Sequence, residues 1–116
     1  MNLIIYGKVP AKANKYKICR GRIYKDAEVT KYEKDFEWQV KNQDKRQFDA
    51  KDRLVVSIQW FTNSYRADLD NINKVILDCL QKNEVIVNDN RVDELHNYRI
   101  IDKGYSRVKI KIEVIK

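Results

Sequence analysis

Apolar and charged residues alternate most regularly at the end of the chain, where Val108, Ile110, Ile112 and Val114 are interleaved with Lys109, Lys111 and Glu113. A period of two predicts a strand with one buried and one charged face. The turn Asp102-Lys103-Gly104 predicts that this strand forms a hairpin with the extended stretch Leu95 to Ile101. Arg53 to Thr62 has the same period, with Leu54, Val56, Ile58 and Trp60 on one face and Val55, Ser57, Gln59 and Phe61 on the other, so both faces are expected to be partly covered. Leu3 to Gly7 is a short apolar run that reads as a strand entering a loop around Pro10 to Asn14. Tyr16 to Cys19 and Arg22 to Tyr24 flank Arg20-Gly21 as a small hairpin, and Val85 to Val87 is a short strand candidate before the polar turn Asn88-Asp89-Asn90.

Two stretches change period. From Glu28 to Gln47 the residues Val29, Tyr32, Phe36 and Val40 recur at spacings of three and four, which predicts an amphipathic helix. From Asp70 to Lys82, Ile72, Val75, Ile76, Cys79 and Leu80 mark a more apolar helix that stops near Asn83. With 116 residues the chain fits a single domain spanning 1–116. The expected fold class is α+β, a mixed or antiparallel sheet with two principal helices packed on it.

Charge adds a partner class to this picture. Twenty-four Lys and Arg against seventeen Asp and Glu give a formal charge of +7, which suits a polyanion. Residues 1–25 hold Lys8, Lys12, Lys15, Lys17, Arg20, Arg22 and Lys25 with no acid, interleaved with Tyr6, Tyr16 and Tyr24. Such a segment can contact a phosphate backbone and stack on exposed bases, or it can simply be a solvated surface. No apolar run approaches the roughly 18 residues of a membrane span, and the start lacks a basic region and cleavage site, so a cytosolic protein is expected. Cys19 and Cys79 are far apart in sequence and share one histidine, His96, which supports neither a zinc site nor a disulfide.

Within so basic a chain, the segment Arg66-Ala-Asp68-Leu-Asp70-Asn71-Ile-Asn-Lys74 gathers acids between a strand and a helix. Two aspartates one residue apart face the same way on extended backbone and lie about 200° apart on a helix, so Asp68 and Asp70 share a site if the helix begins at about Asp70. Lys74 then sits one turn further along the same face. Carboxylate oxygens, a helix N-terminus and an ammonium are what a divalent ion and a phosphate use. Asp89 and Asp93 are candidates for a third carboxylate. The plainer reading makes Asp70 an N-cap, Asp68 a loop residue and Lys74 the partner of an i,i+4 ion pair.

Asp68-Leu-Asp70-Asn71 followed by Lys74, Asp78 and Leu80 resembles the D-x-D-N-x-x-K-x-x-x-D-x-L signature of the RusA family of phage- and prophage-associated Holliday-junction resolvases. Val85-Ile-Val-Asn-Asp89-Asn-Arg-Val92 is similar to the segment that carries the family's third acid, and Gly7-Lys-Val-Pro10-Ala-Lys12-Ala-Asn14 to its opening loop. The resemblance implies a homodimeric endonuclease of the bacterial or phage-infected cytoplasm that cuts four-way DNA junctions by paired symmetric nicks, with Mg²⁺ or Mn²⁺. It implies that Asp68, Asp70 and Asp89 hold the metal and that Lys74 is catalytic beside them. Where some members have two adjacent acids, this chain has Asn88-Asp89.

Chemistry fits those roles. Close carboxylates repel one another, a divalent cation relieves that repulsion, and a metal-bound water of lowered pKa attacks the phosphodiester while Lys74 meets the charge that develops on phosphate. Asn71 and Asp78 are candidates for orienting Asp70 and Lys74. Lys12, Lys15, Lys17, Arg20, Arg22 and Arg66 are the candidate DNA contacts. The alternatives are a non-catalytic nucleic-acid-binding protein whose aspartates are caps, and a regulatory factor whose basic face meets an acidic protein.

Overall fold

The computed structural model describes residues 1–10, 16–19, 21–25, 27–43, 48–65 and 69–115, with backbone alone for 16–19 and 22–25. The elements run β1 (Asn2–Tyr6), β2 (Tyr16–Cys19), β3 (Arg22–Lys25), α1 (Ala27–Lys41), β4 (Leu54–Thr62), α2 (Leu69–Lys82), a short 3-10 helix (Asp89–Arg91), β5 (Val92–Ile101) and β6 (Arg107–Val114). One mixed sheet has the order β1-β6-β4-β5, and β2 and β3 form a separate antiparallel pair around Gly21, whose φ of +74° is a turn conformation that glycine adopts without strain. The α+β expectation holds. Among the described residues no helix is long and apolar enough to cross a membrane.

The expected hairpin between the last two strands does not form. β5 pairs with β4 in parallel, β6 pairs with β4 antiparallel on its other side, and residues 102–106 step across the end of β4, where the Asp102 N–H donates to the Thr62 carbonyl at 2.9 Å. Burial accounts for the order. β4 buries alternate residues from Leu54 to Thr62 and takes a neighbour on each side. β6 buries Val108, Ile110 and Ile112 and lies inside the sheet, whereas β5 has no fully buried residue and lies at the edge. A parallel pair cannot be closed by a tight turn, so α2 serves as the crossover from β4 to β5.

Both helices cover the same face of the sheet. Tyr32, Phe36 and Val40 of α1 and Ile72, Val75, Ile76, Cys79 and Leu80 of α2 pack in one core with Leu3, Ile5, Val56, Ile58, Trp60, Val108 and Ile110. Cys79 is buried and forms no disulfide among the described residues. α1 stops at Lys41, short of the expected Gln47, because Val40 is its last apolar contact and Phe48 is the next buried side chain; residues 44–47 lie outside the described residues. Its last turns have a second task. Gln39 accepts from the Tyr6 N–H (2.8 Å) and donates to the Tyr6 carbonyl (2.8 Å), while Gln43 does the same at Ile4 (3.0 and 2.8 Å). Two side chains thus complete the outer edge of β1 as a neighbouring strand would.

Val85 to Val87 is not a strand. The Val85 N–H donates to the Leu80 carbonyl (2.9 Å) and the Glu84 N–H to the Gln81 carbonyl (3.0 Å), with Glu84 at φ +57°, so these residues close α2 in the pattern of a Schellman motif. Val85 and Ile86 are buried because that motif folds its following apolar residue back on the last turn. The position normally belongs to glycine. Replacing Glu84 by Gly is therefore expected to raise stability by about 0.5–1 kcal/mol in urea unfolding, and Glu84→Val to lower it by at least about 1 kcal/mol. Gln39→Ala with Gln43→Ala should cost about 1–2 kcal/mol in the same measurement, since four exposed hydrogen bonds go at once.

Candidate active site

α2 begins at Leu69, one residue before the expected start, so Asp70 stands in the first turn rather than at the cap. Its carboxylate is exposed at the positive end of the helix. Lys74 follows one turn later on the same face and is also exposed, with Asp78 exposed a turn beyond it and Asn71 half-buried beside Asp70. Among the described residues Lys74 forms no ion pair with Asp70 or Asp78, so the i,i+4 pair and the proposed tether to Asp78 are both absent. Asp70 and Lys74 are a carboxylate and an ammonium left uncommitted on one side of a helix N-terminus. Asp68 and Arg66 lie outside the described residues, as do Lys12, Lys15 and Arg20; Lys17 and Arg22 are described by backbone alone, in β2 and β3.

Asp89 opens the short 3-10 helix and is exposed. Three contacts fix that turn. Asn88 caps it by accepting from the Asn90 N–H at 3.0 Å, the Gln81 side chain accepts from the Asp89 N–H at 3.2 Å, and Arg53 Nη2 donates to the Asn90 carbonyl at 2.8 Å. Asn88 is therefore occupied as a cap, which explains an amide where a second acid was to be looked for.

The bond to Gln81 also locates Asp89 along α2. Gln81 is eleven residues after Asp70, which at about 1.5 Å per residue is about 16 Å along the axis. Arg53, at the head of β4, holds the Asp89 turn, whereas α2 begins beyond Thr62 at the tail of the same strand. One chain consequently carries Asp70 and Asp89 at opposite ends of α2. Among the described residues no three acidic, histidine or cysteine side chains come together as metal ligands. The donor chemistry nonetheless suits a hard divalent ion, since Asp70 and Asp89 present exposed carboxylate oxygens.

Asp93, the other candidate for a third acid, is taken. Arg53 donates to its Oδ1 from Nε at 2.8 Å and again from Nη2. The hydrogen bond from Arg53, more than its charge, holds the Asp93 carboxyl below the usual carboxylate range. Sequence reading missed Arg53 because its partners Asn90 and Asp93 are nearly forty residues away. It did read the charged face of β6 but did not count Arg107, Lys109 and Lys111, which β6 turns outward, among the DNA contacts. There the Arg107 guanidinium lies 4.1 Å and the Lys109 Nζ 5.2 Å from the Phe61 ring centroid. A depression of about 450 Å³ runs over this face between Ile4, Ser57, Gln59, Tyr98, Lys109 and Lys111. His96 is exposed in β5, away from the acids of α2.

A carboxyl with a depressed folded pKa stabilises the fold above its unfolded pKa, near 4, and loses that contribution as pH falls through its folded value. Asp93→Asn is accordingly expected to lower the melting temperature at pH 7, and the difference from wild type should close below about pH 4, as scanning calorimetry across pH would show.

A family model described as "Endodeoxyribonuclease RusA" matches residues 7–113. The chain is also 36% identical over 109 residues, 90% of its own length and 85% of the other's, to a protein named "Crossover junction endodeoxyribonuclease RusA" from Aquifex aeolicus (strain VF5).

Proposed function

The chain belongs to the RusA family of endodeoxyribonucleases, and from that premise we propose that it is a divalent-metal-dependent endonuclease that resolves four-way DNA junctions by paired, symmetric phosphodiester hydrolysis. The observation that carries the reading to particular residues is the uncommitted Asp70 and Lys74 at the start of α2, inside the signature by which the chain resembles the family. Asp68, Asp70 and Asp89 are the residues to hold Mg²⁺ or Mn²⁺. When bound, the ion supplies a Lewis acid and a water of lowered pKa. Lys74, one turn inside the helix, meets negative charge that develops on the phosphate, and the α2 N-terminus adds its dipole in the same direction. Asn71 is the candidate to orient Asp70. Asn88 and Gln81 hold the backbone around Asp89, and Arg53 holds the Asn90 carbonyl after it, so the backbone that carries its carboxylate is fixed.

The separation along α2 bears on the assembly. In a homodimer, Asp89 of one copy can stand beside Asp68 and Asp70 of the other, so two acid sets related by a two-fold axis would serve the two strands to be cut. Lys12, Lys15, Lys17, Arg20, Arg22 and Arg66 remain the candidate DNA contacts, joined by the row Arg107, Lys109 and Lys111. Their sum makes binding strongly salt-dependent.

Incubation of the protein with a labelled four-way junction and a matched linear duplex tests the reading. Paired nicks in the junction alone are expected with Mg²⁺ and none with EDTA. Asp70→Asn should lower cleavage by about 100-fold or more while junction binding persists. Binding without cleavage under both Mg²⁺ and Mn²⁺ would instead identify a non-catalytic junction-binding protein. Co-refolding inactive Asp70→Asn and Asp89→Asn chains tests the shared site: a heterodimer then contains one intact acid set and should nick a single strand. Sites contained within each chain would give no recovery.

A further inference from the structure

Both helices lie on one side of the sheet and leave the other side open. Leu54, Val56, Ile58 and Trp60 of β4 point into the core that α1 and α2 cover, so Ser57, Gln59 and Phe61 point the opposite way. The pairing register carries this open face across the neighbouring strands. Ile4, Lys109, Gln59 and Tyr98 stand in one row, with Asn2, Lys111, Ser57 and His96 in the row beside it. On the other flank Tyr6, Arg107 and Phe61 stand together. Three cations thus run down the middle of the face on β6, and these three rows hold no acid. The first acids, Glu94 and Glu113, come one row later, level with Val55.

We propose that this open face binds single-stranded DNA, its backbone along β6 and an unstacked base on Tyr98, as a surface separate from the site at the start of α2. Charge selects a polyanion. Lys109 forms no ion pair among the described residues, and Lys111 meets Glu113 at 3.1 Å in a pair more than half exposed, which a phosphate can replace at small cost. The aromatics select a single strand. Phe61 already lies under the Arg107 and Lys109 cations, whereas Tyr6 and Tyr98 are 54% and 50% exposed and their rings have no partner among the described residues. A free ring stacks on a base whose face is bare, which a duplex does not offer. The depression of about 450 Å³ lies between Ile4 and Tyr98, with Ser57 and Gln59 between them and Lys109 and Lys111 alongside, so a base resting there meets an apolar wall, a ring and polar groups for its edge. The two lysines repeat at about 6.8 Å along the strand, a spacing that suits the phosphates of an extended chain. DNA as the nucleic acid rests on membership of an endodeoxyribonuclease family. Asp70 and Lys74 stand in the helix layer across the sheet, so a strand on this face is held rather than cut.

Fluorescence anisotropy with a labelled oligo(dT) of about 12 nucleotides, in EDTA so that nothing is cleaved, tests the face directly. The wild type should bind it. Tyr98→Ala should weaken binding about tenfold with an unchanged circular dichroism spectrum, and Tyr98→Phe, which keeps the ring, should bind like the wild type. Lys109→Ala with Lys111→Ala should reduce the slope of log affinity against log salt by about 1.4, the share of two phosphates on a single strand. Both lysines are exposed, so this second variant decides the matter if Tyr98→Ala fails to fold. Oligo(dT) affinity and salt slope that survive these changes would place the strand elsewhere and overturn the proposal. A blunt duplex that loses the same factor on Tyr98→Ala overturns the stacking on an unpaired base, and self-association that Tyr98→Ala abolishes and oligo(dT) does not disturb makes the occupant a second copy. Folded protein that ignores oligo(dT) overturns this face and leaves metal-dependent junction cleavage standing. Absent cleavage with the oligo(dT) profile intact does the reverse.

Discussion

Parallel pairing of β4 with β5 is the constraint from which the rest of the molecule follows. Two strands that run the same way must be joined by a segment that travels the length of the sheet and returns outside it, and α2 is that segment. Its return path sets which residues meet. Whatever lies at its start and whatever lies just past its end are held apart by a rigid rod, and the chain has placed Asp70 at one and Asp89 at the other. The separation of the acids is thus a property of topology, which no rotamer change relieves.

The same helix divides its two sides between the core and solvent. Its inward stripe of Ile72, Val75, Ile76, Cys79 and Leu80 is committed to the core, and its end is closed by Leu80 and Val85 around a left-handed Glu84. Its outward stripe of Asp70, Lys74 and Asp78 has no ion pair among the described residues, although i,i+4 spacing invites them. Elsewhere charges do pair, as Arg53 with Asp93 and Arg107 with Asp102, where they pin a turn or a crossover.

Much of this was legible in the sequence. The periods of β4, β6 and α2 were unambiguous because each buries one face completely, and the acidic signature was local enough to read. What failed depended on distance along the chain. The Asp102-Lys103-Gly104 turn has hairpin chemistry, and nothing near it reveals that β4 lies between the two strands it connects. Val85 and Ile86 look like a strand because a buried apolar pair has no period of its own. Arg53 carries no local sign of the turn it secures. For the acids, sequence proximity to a shared motif implied one cluster, while the placement of Asp89 followed from a crossover visible only in three dimensions.

The glutamine ladder on β1 has a built-in limit. A helix advances about 6.0 Å in four residues and a strand about 6.8 Å in two, so successive rungs fall out of step by about 0.8 Å and also rotate around the helix by about 40°. Two rungs fit this vernier and a third would miss. A five-residue strand can therefore be finished by a helix laid beside it, but a ten-residue one outruns the match that a helix can offer.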